Sequence, residues 1–348
     1  MRKKKIAVLH TQIPFMSGGA ELLVKNLTIQ LNQYGYQAET VPMLFKWYPE
    51  STLYDHMLAW RLMDLRQVNG EDVDLVIATK FPTYGIRHPN KICWLVHQFR
   101  EAYDLYDHQY GLKYFEHGSR MQKKVMNFDD RMLPECKRLY TISNNVTTRL
   151  MEYNGIKAKT LYHPPSMVGR YISKDYGDYI LSVGRIEPLK RNELLIQSLP
   201  FCDPHIKVKF AGRGSQIENL QKLAVSLGVQ NRVEFLGFVR DEDLLELYAN
   251  TFAVFFVPLD EDYGYITLEA FLSKRPVITS SDAGGVLEFV KEGMNGYICK
   301  PEPEAFAEKI TQLYNDRKMC AKLGERGYMD VKDISWTHVI DELTASIK

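Results

Sequence analysis

Three successive stretches decide the fold: Phe252-Ala-Val-Phe-Phe-Val-Pro258, Glu261-Asp-Tyr-Gly-Tyr-Ile-Thr-Leu-Glu-Ala270, and Ala270-Phe-Leu-Ser-Lys-Arg-Pro-Val-Ile-Thr279. An apolar run, a loop with glycine, a helix carrying a glutamate and a second apolar run predict a βαβ unit. In such a unit Gly264 and the amides after it stand at a helix N-terminus, outside the carboxyl end of a parallel strand. Open α/β sheets bind phosphate there, because unpaired N–H groups and the helix dipole face the anion. Glu261 falls in the loop and Glu269 about one turn inside the helix. One carboxylate accepts hydrogen bonds from two adjacent hydroxyls, so the pair suits a ligand with sugars on either side of a phosphate.

The same alternation recurs outward in both directions. Upstream, strands are expected at Tyr179–Val183, Ile206–Phe210 and Arg232–Leu236. Before them Tyr162-His-Pro-Pro-Ser166 breaks the rhythm, since two prolines hold the backbone extended. In the N-terminal half, Ile6–Leu9, Val73–Ala78, Ile92–Val96 and Arg138–Ile142 read as strands. Ser17-Gly-Gly-Ala-Glu21 reads as a glycine loop opening a helix through Leu22, Leu23, Leu27 and Leu31, which Gly35 ends. Two parallel sheets joined by a short linker follow: an α/β chain of two Rossmann-like domains facing a cleft, residues 1–165 and 166–330.

Composition narrows the class. The 348 residues suit two middling domains, and 45% hydrophobic with 25% charged residues is ordinary for a globular protein. A formal net charge of +1 argues against an extended nucleic-acid surface. Five scattered cysteines without a Cys-x-x-Cys suggest a reducing compartment rather than a disulfide framework or zinc site. Met1-Arg-Lys-Lys-Lys5 is followed only by Ile6-Ala-Val-Leu9, too short for the apolar core of a signal peptide, and no run approaches a membrane span. A cytoplasmic protein is expected.

The central run resembles the Glu-x7-Glu signature of retaining glycosyltransferases of the GT-B fold, the large group 1 family that includes sucrose synthases and bacterial surface-glycan enzymes. The resemblance takes in Gly264, Glu269-Ala270, Arg275-Pro-Val-Ile-Thr279 and Gly284-Gly285-Val-Leu-Glu288. It is dense from about Gly177 to Lys300 and thinner in the first domain. It implies a nucleotide-diphosphate sugar, UDP- or GDP-linked, as co-substrate, no cofactor, and a C-terminal helix at about 331–348 crossing back onto the first domain. The implied acceptor is a glycan or a lipid-linked intermediate of cell-surface polysaccharide synthesis.

The resemblance also assigns residues. Gly184-Arg185 follows a strand and Lys190 comes five residues later; matching residues bind the donor diphosphate. Fixed cations there stabilise the charge that develops on the leaving phosphate oxygen. Glu261 would hold the transferred sugar and Glu269 the ribose. Gly264, Tyr265, Ile266 and Thr267 would line the donor phosphates, with Gly212 and Val239 beside the nucleotide. In the first domain Gly18 and Gly19 would touch donor or acceptor, and His97 the donor sugar. Arg100, Glu101, Tyr103, Tyr106 and Tyr110 are candidates for acceptor contact without assignment. Arg191 departs from the usual small residue and Tyr263 from another aromatic, which bears on donor choice.

Three Asp-x-Asp sequences, at Asp72–Asp74, Asp241–Asp243 and Asp260–Asp262, match a pattern of metal-dependent transferases of a different fold. With Arg185 and Lys190 facing the diphosphate, no metal is expected. The basic start at Met1–Lys5 suggests peripheral contact with the inner face of a membrane. The rival readings are a GT-B nucleotide-sugar epimerase, a non-catalytic two-domain sugar-binding protein, and a degenerate subunit partnering a transferase.

Overall fold

The computed structural model describes residues 2–16 and 18–347; Ser17 of the glycine loop and Met1 of the basic start lie outside them. The chain divides into two compact units, residues 1–166 with 335–348, and residues 167–334.

In the first unit the strands are β1 (Lys5–Gln12), β2 (Gln37–Leu44), β3 (Gln67–Val68), β4 (Glu71–Asp72), β5 (Leu75–Ala78), β6 (Lys91–Leu95), β7 (Arg138–Thr141) and β8 (Lys159–Thr160). Its helices are α1 (Gly19–Gln33), α2 (Thr52–Leu62), α3 (Gly118–Met132) and α4 (Asn144–Asn154). One parallel sheet runs β2-β1-β5-β6-β7-β8, and β3-β4 is a small antiparallel hairpin. The continuous apolar run of β5 is buried at every position because helices cover both faces of the sheet. Helix α1 buries Leu23, Val24, Leu27 and Leu31, one stripe at helical spacing, and Gly35 at φ 91° takes the left-handed turn that ends it.

The second unit holds β9 (Tyr179–Val183), β10 (Lys207–Ala211), β11 (Val233–Gly237), β12 (Ala253–Phe255), β13 (Val277–Ser280) and β14 (Gly296–Cys299). Its helices are α5 (Glu193–Ser198), α6 (Ile217–Ser226), α7 (Asp241–Asn250), α8 (Tyr265–Leu272), α9 (Pro303–Asn315) and α10 (Arg317–Val331). The parallel order β11-β10-β9-β12-β13-β14 reverses direction between β9 and β12. Ile180, Phe210, Phe252, Phe255, Ile278, Phe306 and Ile310 belong to its core. Arg275 is fully buried: its guanidinium donates to the carbonyls of Tyr248, at 3.1 Å, and Ala249, closing the C-terminal end of α7, and lies 4.3 Å from the Tyr176 ring.

The last helix, α11 (Trp336–Thr344), belongs to the first unit. Ser335 caps it, accepting from the His338 amide, and Val339, Ile340 and Leu343 are buried. Trp336 stacks on His163 at 6.1 Å and meets Trp94 edge-on at 6.4 Å. Burial pushes the His163 imidazole down to about 3, against a backbone hydrogen bond at Pro164.

Candidate active site

In an open parallel sheet the loops leaving two neighbouring strands diverge where the strand order reverses, and the crevice between them is the usual ligand site. In the second unit that point lies between β9 and β12. The loop after β9 carries Gly184, Arg185 and a 3-10 turn, Pro188–Lys190; the loop after β12 carries Asp260 and Glu261 and opens into α8.

The two loops are tied together. Lys190 donates to the Glu261 carboxylate and lies 5.5 Å from the Phe256 ring. The Leu259 amide donates to the Leu189 carbonyl at 2.8 Å. Glu261 is further fixed by its backbone, which bridges to Gly284: its amide donates to Ala283 at 3.1 Å, and its carbonyl accepts from Gly285 at 2.7 Å. Arg185 is exposed and has no hydrogen-bond or ion-pair partner among the described residues.

Arg191 has a different position from the one its sequence context suggests. At φ 49° it occupies the left-handed region, and its guanidinium turns back into the sheet rather than toward the crevice. It donates to the carbonyls of Val257 (2.9 Å) and Pro258 (3.0 Å), to Ser280 Oγ (2.7 Å) and to both oxygens of Asp282 (2.8 and 2.6 Å). The residue after Lys190 is therefore a clamp from the β9 loop to the ends of β12 and β13. Its five donors were not recognised in the sequence, although a charged residue in place of a small one was the available signal.

Gly264 caps α8 at φ 83°, with Tyr265 and Ile266 in the first turn. Gly184 packs so closely that an added Cβ would lie 3.2 Å from Ile266 Cδ1, which brings the β9 loop against the start of α8. Thr267 turns inward in the first turn of α8. Its side chain is fully buried, its amide donates to the Gly264 carbonyl at 3.0 Å, and its hydroxyl has no hydrogen-bond partner among the described residues. Gly212 likewise has an internal reason for being glycine: a Cβ would lie 1.8 Å from the Gly184 carbonyl oxygen, so the β10 loop supports the β9 loop directly. Val239 lines a shallow depression with Leu236, Phe238, Arg240 and Leu247.

Glu269 is half-buried in α8 and accepts from the Tyr248 hydroxyl at 2.7 Å. Burial raises its pKa, opposed by the hydrogen bond from Tyr248 and by Tyr171 nearby. Tyr171 meets Tyr248 edge-on at 6.3 Å. These tyrosines lie far from Glu269 in sequence and were not recognised in it.

In the first unit the strand order reverses between β1 and β5. Gly18 caps α1 in an extended conformation, and its amide donates to Glu21 at 2.8 Å, with Gly19 beginning the helix. Glu21 also takes Lys80 at 3.2 Å and lies 3.5 Å from buried His10. Burial would raise the Glu21 carboxyl, but His10, Lys80 and backbone donors hold it down at about 2. His97 follows β6, half-buried, its Nδ1 2.5 Å from the Gln98 carbonyl.

The carboxylates of two Asp-x-Asp sequences have local partners. Asp74 takes Arg2, Lys4 and the Lys5 amide; Asp72 takes Gln67; Asp243 takes Arg240. The basic start is thus partly neutralised: Arg2 and Lys4 pair with Asp74 and Lys5 with Glu71. Among the described residues no group of three or more His, Cys, Asp or Glu side chains is placed to hold a metal ion. No helix among them is long and apolar enough to cross a membrane.

Residues 171–330 match the family model Glycosyl transferases group 1. An uncharacterised glycosyltransferase of Methanocaldococcus jannaschii is 32% identical over 167 residues, 47% of this chain and 43% of that protein. A D-inositol 3-phosphate glycosyltransferase of Nocardia farcinica is 30% identical over 175 residues, 47% of this chain and 39% of that protein. The chain thus spans less than half the length of these curated relatives. Over nearly the whole chain, the structure of Anabaena HepE in complex with UDP and glucose superposes with a TM-score of 0.71 at 18% identity, covering 97% of this chain and 98% of that one. The whole chain has the α/β fold of GT-B glycosyltransferases, and residues 171–330, a little under half of it, are similar to the Glycosyl transferases group 1 family.

Proposed function

We propose that the chain is a retaining glycosyltransferase that moves a sugar from a nucleotide-diphosphate donor to a hydroxyl of a glycan or lipid-linked acceptor. The observation that carries this reading is the Lys190–Glu261 pair joining the loops at the carboxyl ends of β9 and β12, with Arg185 exposed on the same β9 loop, beside the start of α8. Breaking the bond to the anomeric carbon leaves negative charge on a phosphate oxygen. Arg185 would meet that charge as a fork and Lys190 as a point charge, both gaining strength as it develops. Glu261 orients the ammonium and stands where a sugar hydroxyl would reach it. Glu269, steadied by Tyr248, would accept from ribose hydroxyls. In this reading the acceptor attacks from the face the diphosphate leaves, and a phosphate oxygen takes its proton.

The two cations supply the charge a metal would otherwise provide, so the reaction is proposed to need none. UDP and glucose in the Anabaena structure favour a UDP-sugar donor over a GDP-sugar, and the family resemblance favours a role in surface-polysaccharide synthesis. A thermal-shift panel of UDP-, GDP- and ADP-sugars followed by product analysis tests the reading. A donor at a hundred times its Kd stabilises by about 2.7 kcal/mol, enough to name the base. Sugar-extended acceptor that still forms under excess chelator supports the proposal. An epimerised donor would identify an epimerase, and stabilisation without product a binding protein. Loss of transfer on chelation, restored by magnesium or manganese, would reject the metal-free mechanism.

A further inference from the structure

Helix α3 carries one fully buried acid, Asp129. Two buried tyrosines donate to it from different segments. Tyr84, in the turn after β5, reaches Oδ1 at 2.5 Å, and Tyr103, in the long loop after β6, reaches Oδ2 at 2.7 Å. Tyr103, a candidate for acceptor contact in the sequence, thus turns its hydroxyl to an interior carboxyl instead. Asn154, at the end of α4, joins the network. Its amide nitrogen donates to the Tyr103 hydroxyl at 3.2 Å and to Asp130 Oδ1 at 2.6 Å, and its oxygen accepts from buried Gln98 at 2.5 Å. Gln98 follows His97, whose Nδ1 meets the Gln98 carbonyl. The segment from His97 to Tyr103 is therefore anchored at Asn154 and at Asp129. The other groups facing Asp129 are Asp130, next to it on α3, and the Cys93 thiol of β6; among the described residues no cation pairs with it.

We propose that Asp129 is a positioning residue for the loop that carries His97, and that it acts as a pH-sensitive latch: neutral Asp129 holds Tyr103 docked, and opening of the loop releases the Asp129 proton. The neutral acid suits the site. One of its oxygens accepts from a tyrosine while the protonated one donates to the other hydroxyl. The carboxylate suits it less, because two hydroxyl donors replace only part of the water that a buried charge gives up. Burial accordingly pushes the Asp129 carboxyl up to about 7, assisted by Asp130 and opposed by both tyrosines. Moving Tyr103 out admits water and returns the group toward its ordinary 3.8, so the open loop binds fewer protons than the docked one. Docking is then strongest below the ordinary value, weakens as pH rises toward about 7, and changes no further above it. The consequence for transfer rests on the reading of His97 as a contact to the donor sugar; the latch itself does not.

The first test needs no substrate. Hydrogen exchange of the full chain, corrected for intrinsic rates, should show protection in the Gln98–Tyr103 segment falling by up to about tenfold per pH unit toward pH 7, then levelling. Carbon-13 NMR of the aspartate carboxyls should show one group titrating near 7 that is missing from Asp129→Asn. The amide of that variant accepts and donates as the neutral acid does, so Asp129→Asn should keep the loop protected at every pH. Tyr103→Phe should lower protection even at acid pH. In transfer assays kcat/KM of Asp129→Asn should gain on wild type as pH rises toward 7. Protection independent of pH in wild type, or the same pH dependence in Asp129→Asn, overturns the latch. So does a wild-type chain with no aspartate titrating near 7, whether or not the variant folds. Matching pH profiles of kcat/KM in the two proteins overturn the positioning role. No transfer at any pH, with the exchange and NMR results as expected, would remove the transferase reading and leave the latch standing.

Discussion

The Arg191 guanidinium meets both carboxylate oxygens of Asp282, at 2.8 and 2.6 Å, and so fixes the loop that carries Lys190 to the end of β13. Planar two-point pairing of this kind specifies geometry as well as energy. The pair is partly exposed at Asp282, which lowers its worth below that of a fully buried pair.

Arg191→Ala should therefore cost about 2 kcal/mol of stability, summing the lost fork and the carbonyl contacts. It should also lower turnover more than donor affinity, because Lys190 is no longer held in place. Denaturant unfolding and a comparison of kcat with KM check both statements. Unchanged kcat in a folded variant would show that Lys190 is positioned by Glu261 alone.

Arg185→Ala and Lys190→Ala should each reduce turnover by about two to three orders of magnitude, comparable with the loss of a preorganised oxyanion donor. The two should differ in one respect. Arg185 has no protein partner among the described residues, so its removal leaves the fold untouched, whereas removing Lys190 takes the ammonium away from Glu261. A double cycle of Lys190→Ala with Glu261→Gln should accordingly show strong coupling, and one of Arg185→Ala with Glu261→Gln much less. Additive effects at Lys190 and Glu261 would contradict the pairing.

Buried His163 makes the stability of the first unit sensitive to acid. Its folded pKa, about 3, lies below the ordinary 6.5, so the unfolded chain binds the extra proton between those values. Stability is full above pH 6.5 and falls as pH drops from there toward 3, by up to about 1.4 kcal/mol per pH unit. His163→Phe should flatten that part of the curve of unfolding free energy against pH. An unaltered slope in the variant would show that other groups carry the acid sensitivity.

Most strands that could be read from the sequence are buried: β1, β5 and β6, then β9, β10, β12 and β13, present apolar runs because helices cover both faces of their sheets. The edge strand β11 has no buried position and was legible from its Val-Glu-Phe-Leu alternation instead. β2 was not recognised: it is an edge strand, half exposed, with Pro42 interrupting its pattern where an edge tolerates proline. β14, at the opposite edge of the second sheet, was not recognised either. In the site, Lys190 and Glu261 were legible as motif residues, but their contact depends on the β9–β12 strand order, which no local pattern encodes. Tyr248 and Arg191 act through partners distant in sequence, and Thr267 turns inward because of the exact phase of α8.

The central claim is transfer with retention at the anomeric carbon, and NMR of the newly formed linkage tests it most directly. Glu261 bound to Lys190 and Glu269 bound to Tyr248 are assigned to holding the donor, and neither to nucleophilic attack from the opposite face. With a donor of known anomeric configuration, the one-bond carbon–proton coupling at the new anomeric centre should report the same configuration. An inverted centre would contradict the mechanism and the roles given to both glutamates.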